Sequence, residues 1–183
     1  MPYFAVIDIE TNWVDQVMSI GTVIADADTF RPVAAKYYIL PACCEVGGMY
    51  YDALFLKTPV KPICCTRQAA MRDLPAWCDQ YGVTSIFAYN ARFDKTHLPE
   101  LGGLTWHDIM RLAAYRQHNP KIPETADLCS TGRLKRGYGV EPMLRLLSGN
   151  RGYHETHNAI FDALDELEIM RLLGHDLKDY IPL

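Results

Sequence analysis

The chain opens on an unbroken apolar run, Phe4-Ala5-Val6-Ile7, that ends in Asp8-Ile9-Glu10-Thr11. An apolar run without polar alternation, rich in Val and Ile, predicts a strand buried on both faces. Met18 to Ala25 and Val33 to Leu40 read as two further strands, with Asp26-Ala27-Asp28 as the turn between them. Three consecutive strands with short links predict an antiparallel meander, which Pro41 stops. Residues 42 to 66 show no clear period and predict a loop with one short helix. A helix follows from about Thr66 to Tyr81, with Gly82 as its stop. Thr84 to Tyr89 is a fourth strand; reached through a helix, it is expected parallel to its neighbour, which makes the sheet mixed. Beyond Asn90-Ala91-Arg92-Phe93-Asp94-Lys95 a short helix is expected to about Leu101. Trp106 to Gln117 reads as a helix with Asp108 as its N-terminal acid, residues 118 to 137 are irregular, and Val140 to Leu147 is helical up to Gly149. The last long helix is expected from Thr156 to Leu173. Ile160, Ala163, Leu164, Leu167 and Met170 form its apolar stripe, and Gly174 ends it.

Composition narrows the class. With 183 residues, 49% hydrophobic and 22% charged, the chain suits one globular domain spanning 1–183. No apolar run is long enough to span a bilayer, and no basic-then-apolar leader precedes the first strand. The expectation is a cytoplasmic protein that keeps clear of membranes. The six cysteines (43, 44, 64, 65, 78 and 129) include no Cys-x-x-Cys pair, which favours reduced thiols over disulfides or a zinc site. The net charge of −4 is unevenly spread: Arg111 to Arg151 carries +5 and the remainder −9. A basic segment beside an acidic centre suits a polyanion whose reactive end meets the acids, although a solvated basic face gives the same bias.

Candidate chemistry starts at the first strand. Side chains alternate along a strand, so Asp8 and Glu10 face the same way. Two carboxylates crowded at a buried strand end repel and lose hydration, and a hard divalent cation relieves both costs. The plain alternative is a solvated strand end. Asp94 lies just past the fourth strand, where α/β sheets present functional groups, or it caps a helix. Asp162 sits at the edge of the last apolar stripe. His157 precedes it by five residues, about 140° of helical rotation. The two converge only if His157 lies at the frayed start of the helix or in the loop before it. His154 is a second, less well placed candidate.

Taken together, Asp8-Ile9-Glu10, then Asn90-Ala91-Arg92-Phe93-Asp94, then His157-Asn158-Ala159-Ile160-Phe161-Asp162 resemble the three motifs of the DEDD exonucleases, in the DEDDh form. That branch includes RNase T and the proofreading subunit of bacterial DNA polymerase III. The resemblance spans residues 4 to about 173; it is vague over 41–66 and 118–137, and the segment around the cysteines has no counterpart. It implies an α/β, ribonuclease H-like fold: a five-stranded mixed sheet flanked by helices, the fifth strand lying near Leu104-Thr105-Trp106.

It also implies a metal-dependent 3′–5′ exonuclease that releases 5′-mononucleotides from DNA or RNA 3′ ends. Asp8, Glu10, Asp94 and Asp162 would hold two Mg²⁺ or Mn²⁺ ions, and His157 would act as general base. Thr11 and Asn90 match family positions that touch the terminal nucleotide. Trp13 and Phe93 offer aromatic faces on which end bases stack, with core packing as the alternative for each. Some family members are dimers, so a homodimer is carried as an expectation. Two other readings stay open. One is a nucleic-acid-binding module with little turnover. The other is a phosphodiesterase of very short oligonucleotides like oligoribonuclease, although Glu10-Thr11 stands where that group has Glu-Met.

Overall fold

A computed structural model describes residues 2–183. Six strands form one sheet: β1 (Tyr3–Thr11), β2 (Val17–Asp26), β3 (Pro32–Ile39), β4 (Ile63–Cys64), β5 (Ser85–Ala88) and β6 (Thr105–Asp108). Six α-helices accompany them: α1 (Pro41–Cys44), α2 (Arg67–Gln80), α3 (Arg92–His97), α4 (Met110–Ala113), α5 (Val140–Ser148) and α6 (Ala159–Leu173). The spatial order is β4-β3-β2-β1-β5-β6. β1 pairs antiparallel with β2 and parallel with β5. The meander β1-β2-β3 and the mixed character of the sheet therefore match the sequence pattern.

β1 is the central strand, and its two faces feed two cores. Phe4 and Val6 pack with α5 and α6 through Leu144, Ile160, Ala163 and Leu167. Ala5, Ile7 and Ile9 pack on the opposite face with α2 through Ala70, Leu74 and Trp77. Continuing the alternation, Asp8 and Glu10 face the α6 side. Where β1 reaches its acids, β2 carries Gly21 opposite Asp8. A Cβ at position 21 would lie 2.1 Å from the Ala159 carbonyl oxygen and 2.4 Å from the Ile160 nitrogen. Only glycine lets the first turn of α6 come this close to the sheet beside Asp8.

Three elements depart from expectation. The Trp106–Gln117 helix is instead β6 followed by the single turn α4. Thr105 and Trp106 suit a strand, and pairing with β5 in parallel register, Ser85 with Thr105 through Ala88 with Asp108, outweighs local helical periodicity. This is the strand that the family resemblance placed near Leu104-Thr105-Trp106. The sheet has six strands rather than five, because two residues of the period-free segment, Ile63 and Cys64, pair with Tyr38 and Ile39 on the outer edge. The last helix starts at Ala159 rather than Thr156, with the Asn158 side chain capping it by accepting the Ile160 N–H at 3.3 Å. The α2 boundaries agree closely with the sequence, Thr66 capping through the Ala69 N–H at 3.2 Å. The cysteines are free. Among the described residues no helix is long and apolar enough to cross a membrane.

Candidate metal centre

The acids of the first strand meet those of the last helix at the C-terminal end of β1. Ligand atoms of Glu10, His157 and Asp162 all lie within 4.8 Å of one another. His157 reaches them because it stands outside the helix, in a left-handed conformation with φ of 54°. In that conformation the loop before α6 turns back, which removes the 140° obstacle of a regular helix. His154 does not take part: it is exposed, with Nδ1 3.5 Å from Glu141 and 3.0 Å from Arg145.

Asp94 lies in the first turn of α3 and is buried. Backbone N–H groups of Asp94 itself and of Ile9, the residue between Asp8 and Glu10, favour its charged form against burial. The helix N-cap is Ala91, so Asp94 is not the simple cap that its position allowed. The β5–α3 connection that carries it is held by Asp108, whose Oδ1 accepts the N–H groups of Asn90 and Met110, each at 3.0 Å. Asp108 itself ends β6, ahead of Ile109, the N-cap of α4, and no acid lies in the first turn of that helix.

A fifth acid was not legible as part of the group. Glu166 follows Asp162 by one helical turn, on the same face, and is 2% exposed. One signal was available: Glu166 is an acid inside a face otherwise made of Ala163, Leu167 and Met170. The Tyr89 backbone N–H is near enough to favour the charged form of Glu166, against burial. Buried oxygens of four acids have no hydrogen-bond partner among the described residues: Asp8 Oδ2, Asp94 Oδ1, Asp162 Oδ1 and Glu166 Oε2. Unpaired buried carboxylate oxygens are costly, and these acids are close enough that Asp8 feels the charges of Glu166, Asp94 and Asp162.

Electrostatics follow from this crowding. Burial, then repulsion from Glu166, Asp94, Asp162 and Glu10, raises Asp8 far above the ordinary carboxyl range. Burial likewise raises Asp94 and Glu166. Glu10 is pushed up to about 8, first by burial and then by Glu155. Asp162 is pushed up to about 9 by burial, Glu155 and Glu10. Without a cation the site therefore retains protons at neutral pH. An all-oxygen donor set with one adjacent imidazole suits Mg²⁺ or Mn²⁺, and the unpartnered oxygens are the atoms such ions would engage.

Beside Glu10 opens a cleft of about 330 Å³ lined by Ile9, Glu10, Thr11, Asn12, Trp13, Met49, Tyr50 and Phe93. Trp13 is 64% exposed and Phe93 41%, so neither is a core residue. Met49 and Tyr50 come from the period-free segment and escaped sequence reading. Thr11 ends β1 inside this cleft. Asn90 is exposed at the end of β5 with φ of 60° and does not line the cleft.

No protein-family model and no curated protein sequence matches the chain. Solved structures do. The nuclease domain of 3′hExo, a DEDDh family member solved with rAMP, matches with a TM-score of 0.64 at 13% identity, over 100% of this chain and 96% of that one. A 3′-exonuclease that recognises the 3′ end of the histone mRNA stem-loop matches at 0.66 and 11% identity, over 99% of this chain and 66% of that one. E. coli exonuclease I in complex with a dA16 oligonucleotide matches at 0.60 and 13% identity, over 98% of this chain and 42% of that one. The chain has the ribonuclease H-like fold of these exonuclease structures, here a six-stranded mixed sheet flanked by helices among the described residues.

Proposed function

We propose that the chain is a divalent-metal-dependent 3′–5′ exonuclease that hydrolyses the terminal phosphodiester of a nucleic acid and releases a 5′-mononucleotide. One observation carries this reading: Glu10, His157 and Asp162, contributed by opposite ends of the sequence, converge within 4.8 Å, and the buried Asp8 feels the charges of Glu10, Asp162 and Asp94. Asp8, Glu10, Asp94 and Asp162 would hold two Mg²⁺ or Mn²⁺ ions. When bound, such ions supply Lewis-acid activation of water and stabilise the leaving 3′ oxygen. His157, whose imidazole lies against Glu10 and Asp162, would take the proton of the attacking water as the P–O3′ bond breaks.

The cleft beside Glu10 supports terminal recognition. Trp13 and Phe93 present faces for the end bases and Thr11 lines the same cleft, whereas Asn90 lies outside it. The basic segment reaches the same end of the sheet, since the Tyr89 hydroxyl donates to the Tyr138 carbonyl. The Arg133 guanidinium lies over the Tyr138 ring at 4.8 Å. A half-buried guanidinium against an exposed aromatic ring, on the segment that reaches this end of the sheet, suits a single strand entering end first. The neighbours bound to rAMP and to dA16 are consistent with such a substrate.

The test is nucleotide release from 3′-labelled single- and double-stranded RNA and DNA, with Mg²⁺, with Mn²⁺ and with chelator, the products sized by mass spectrometry. Release of 5′-mononucleotides that stops with chelator and in Asp8→Asn, and falls to a small residual rate in His157→Ala, is expected. Undiminished release by both variants at high purity would refute the assignment.

A further inference from the structure

His157 is held by a single loop position, yet it meets the acids. Its imidazole lies flat against Tyr50, ring centroids 3.9 Å apart and planes 12° from parallel. Tyr50 belongs to the segment between β3 and β4, the part of the chain that the family motifs leave uncovered. That segment is tied to the residue after His157. The Asn158 side chain donates to the Ala53 carbonyl at 2.6 Å and to the Tyr37 hydroxyl at 3.1 Å, and Tyr37 in turn donates to the Leu54 carbonyl at 3.1 Å. The 3₁₀ turn Tyr51–Phe55 is thereby fixed to the start of α6, and Tyr50, immediately before it, is set over the imidazole.

We infer that Tyr50 is a positioning residue for His157: its ring forms a wall against which the imidazole is held with a ring nitrogen within 4.8 Å of Glu10 and Asp162 carboxylate oxygens. The left-handed backbone at His157 brings the side chain toward the site but leaves its χ rotations free. A stacked aromatic face removes that freedom, and a misplacement of about 1 Å in a reacting group costs roughly 100-fold in rate. The role needs the ring and not the hydroxyl. Tyr50 also lines the cleft beside Glu10, so it joins the terminal-base pocket to the proton acceptor. The inference rests on the exonuclease reading for its kinetic consequence, but not for the stack itself.

The experiment compares wild type, Tyr50→Phe, Tyr50→Ala, His157→Ala and the Tyr50→Ala/His157→Ala double variant, with circular dichroism to confirm folding. Nucleotide release gives kcat and KM. The Cε1–H resonance of His157, assigned by its absence from His157→Ala, reports the stack directly through the ring current. Tyr50→Phe should keep kcat and the upfield resonance. Tyr50→Ala should move the resonance downfield and lower kcat roughly 10- to 100-fold, with no further loss in the double variant beyond His157→Ala. An unmoved resonance in Tyr50→Ala, a wild-type kcat in that variant, or fully multiplicative losses in the double variant would overturn the inference. A wild type that releases no nucleotide would sink the exonuclease reading, and the resonance would then decide the stack alone.

Discussion

Chelated protein should lose stability as pH rises from 5.5 to 7, which is the reverse of ordinary acid unfolding. In the unfolded chain, Glu10 and Asp162 ionise in the usual carboxyl range and are both charged by pH 5.5. In the folded chain they titrate near 8 and near 9, so both keep their protons through this window. The folded state then binds more protons than the unfolded state, and stability falls as pH rises. Each group contributes about 1.4 kcal/mol per pH unit. The two together give about 4 kcal/mol over the window, or roughly 8–16 °C in Tm for a chain of this size. Asp8, Asp94 and Glu166 are shifted in the same direction and add to the slope. The buried His107, held neutral, opposes it by less than one proton. Carboxylates lowered by partners, such as Asp73 and Glu100, are ionised in both states and contribute nothing here. The assay is differential scanning fluorimetry in EDTA at half-unit steps, repeated with Mn²⁺. Manganese should raise Tm more at pH 7 than at 5.5, since protons compete for the same oxygens. Glu166→Gln should raise the chelated Tm at pH 7 and flatten the slope. A chelated Tm that stays level or climbs between pH 5.5 and 7 would refute the idea that these acids share a buried, repulsive site.

Gly21→Ala should destabilise by about 1–3 kcal/mol and cut nucleotide release disproportionately, because its methyl would push Ala159 and the start of α6 away from Asp8. Gly103→Ala, with nothing within 4 Å of its Cβ, is the control; equal activity in the two variants would disprove the close-approach argument. Trp13→Ala and Phe93→Ala should each raise KM for an oligonucleotide, with a stacked base worth about 1–3 kcal/mol, or roughly 5- to 150-fold. Chemical denaturation should show both variants folding as stably as wild type, since both side chains are substantially exposed. An unchanged KM would remove these residues from the binding surface.

The amino-acid sequence alone determined the central strand, because Phe4-Ala5-Val6-Ile7 can satisfy its apolar surface only between two layers. It likewise determined the meander, α2 between Thr66 and Gly82, and the stop of the last helix at Gly174, since caps and periods are local properties. It set out Asp8, Glu10, Asp94, His157 and Asp162 in order, and it stated the condition on which His157 and Asp162 could meet. Only the tertiary structure decided that the condition holds, through a left-handed residue outside the helix. Tertiary pairing also turned Thr105–Asp108 into a strand and recruited Ile63 and Cys64 to the sheet edge, because β-pairing partners lie far apart in sequence and leave no local period. Glu166, Tyr50, Met49 and the closeness permitted by Gly21 belong to the same class. Each takes its meaning from what stands across the gap: a carboxylate, an imidazole, a base-sized cleft or a helix backbone. Chemistry of that kind is fixed by distances through space, which hydrophobic pattern and motif spacing do not encode.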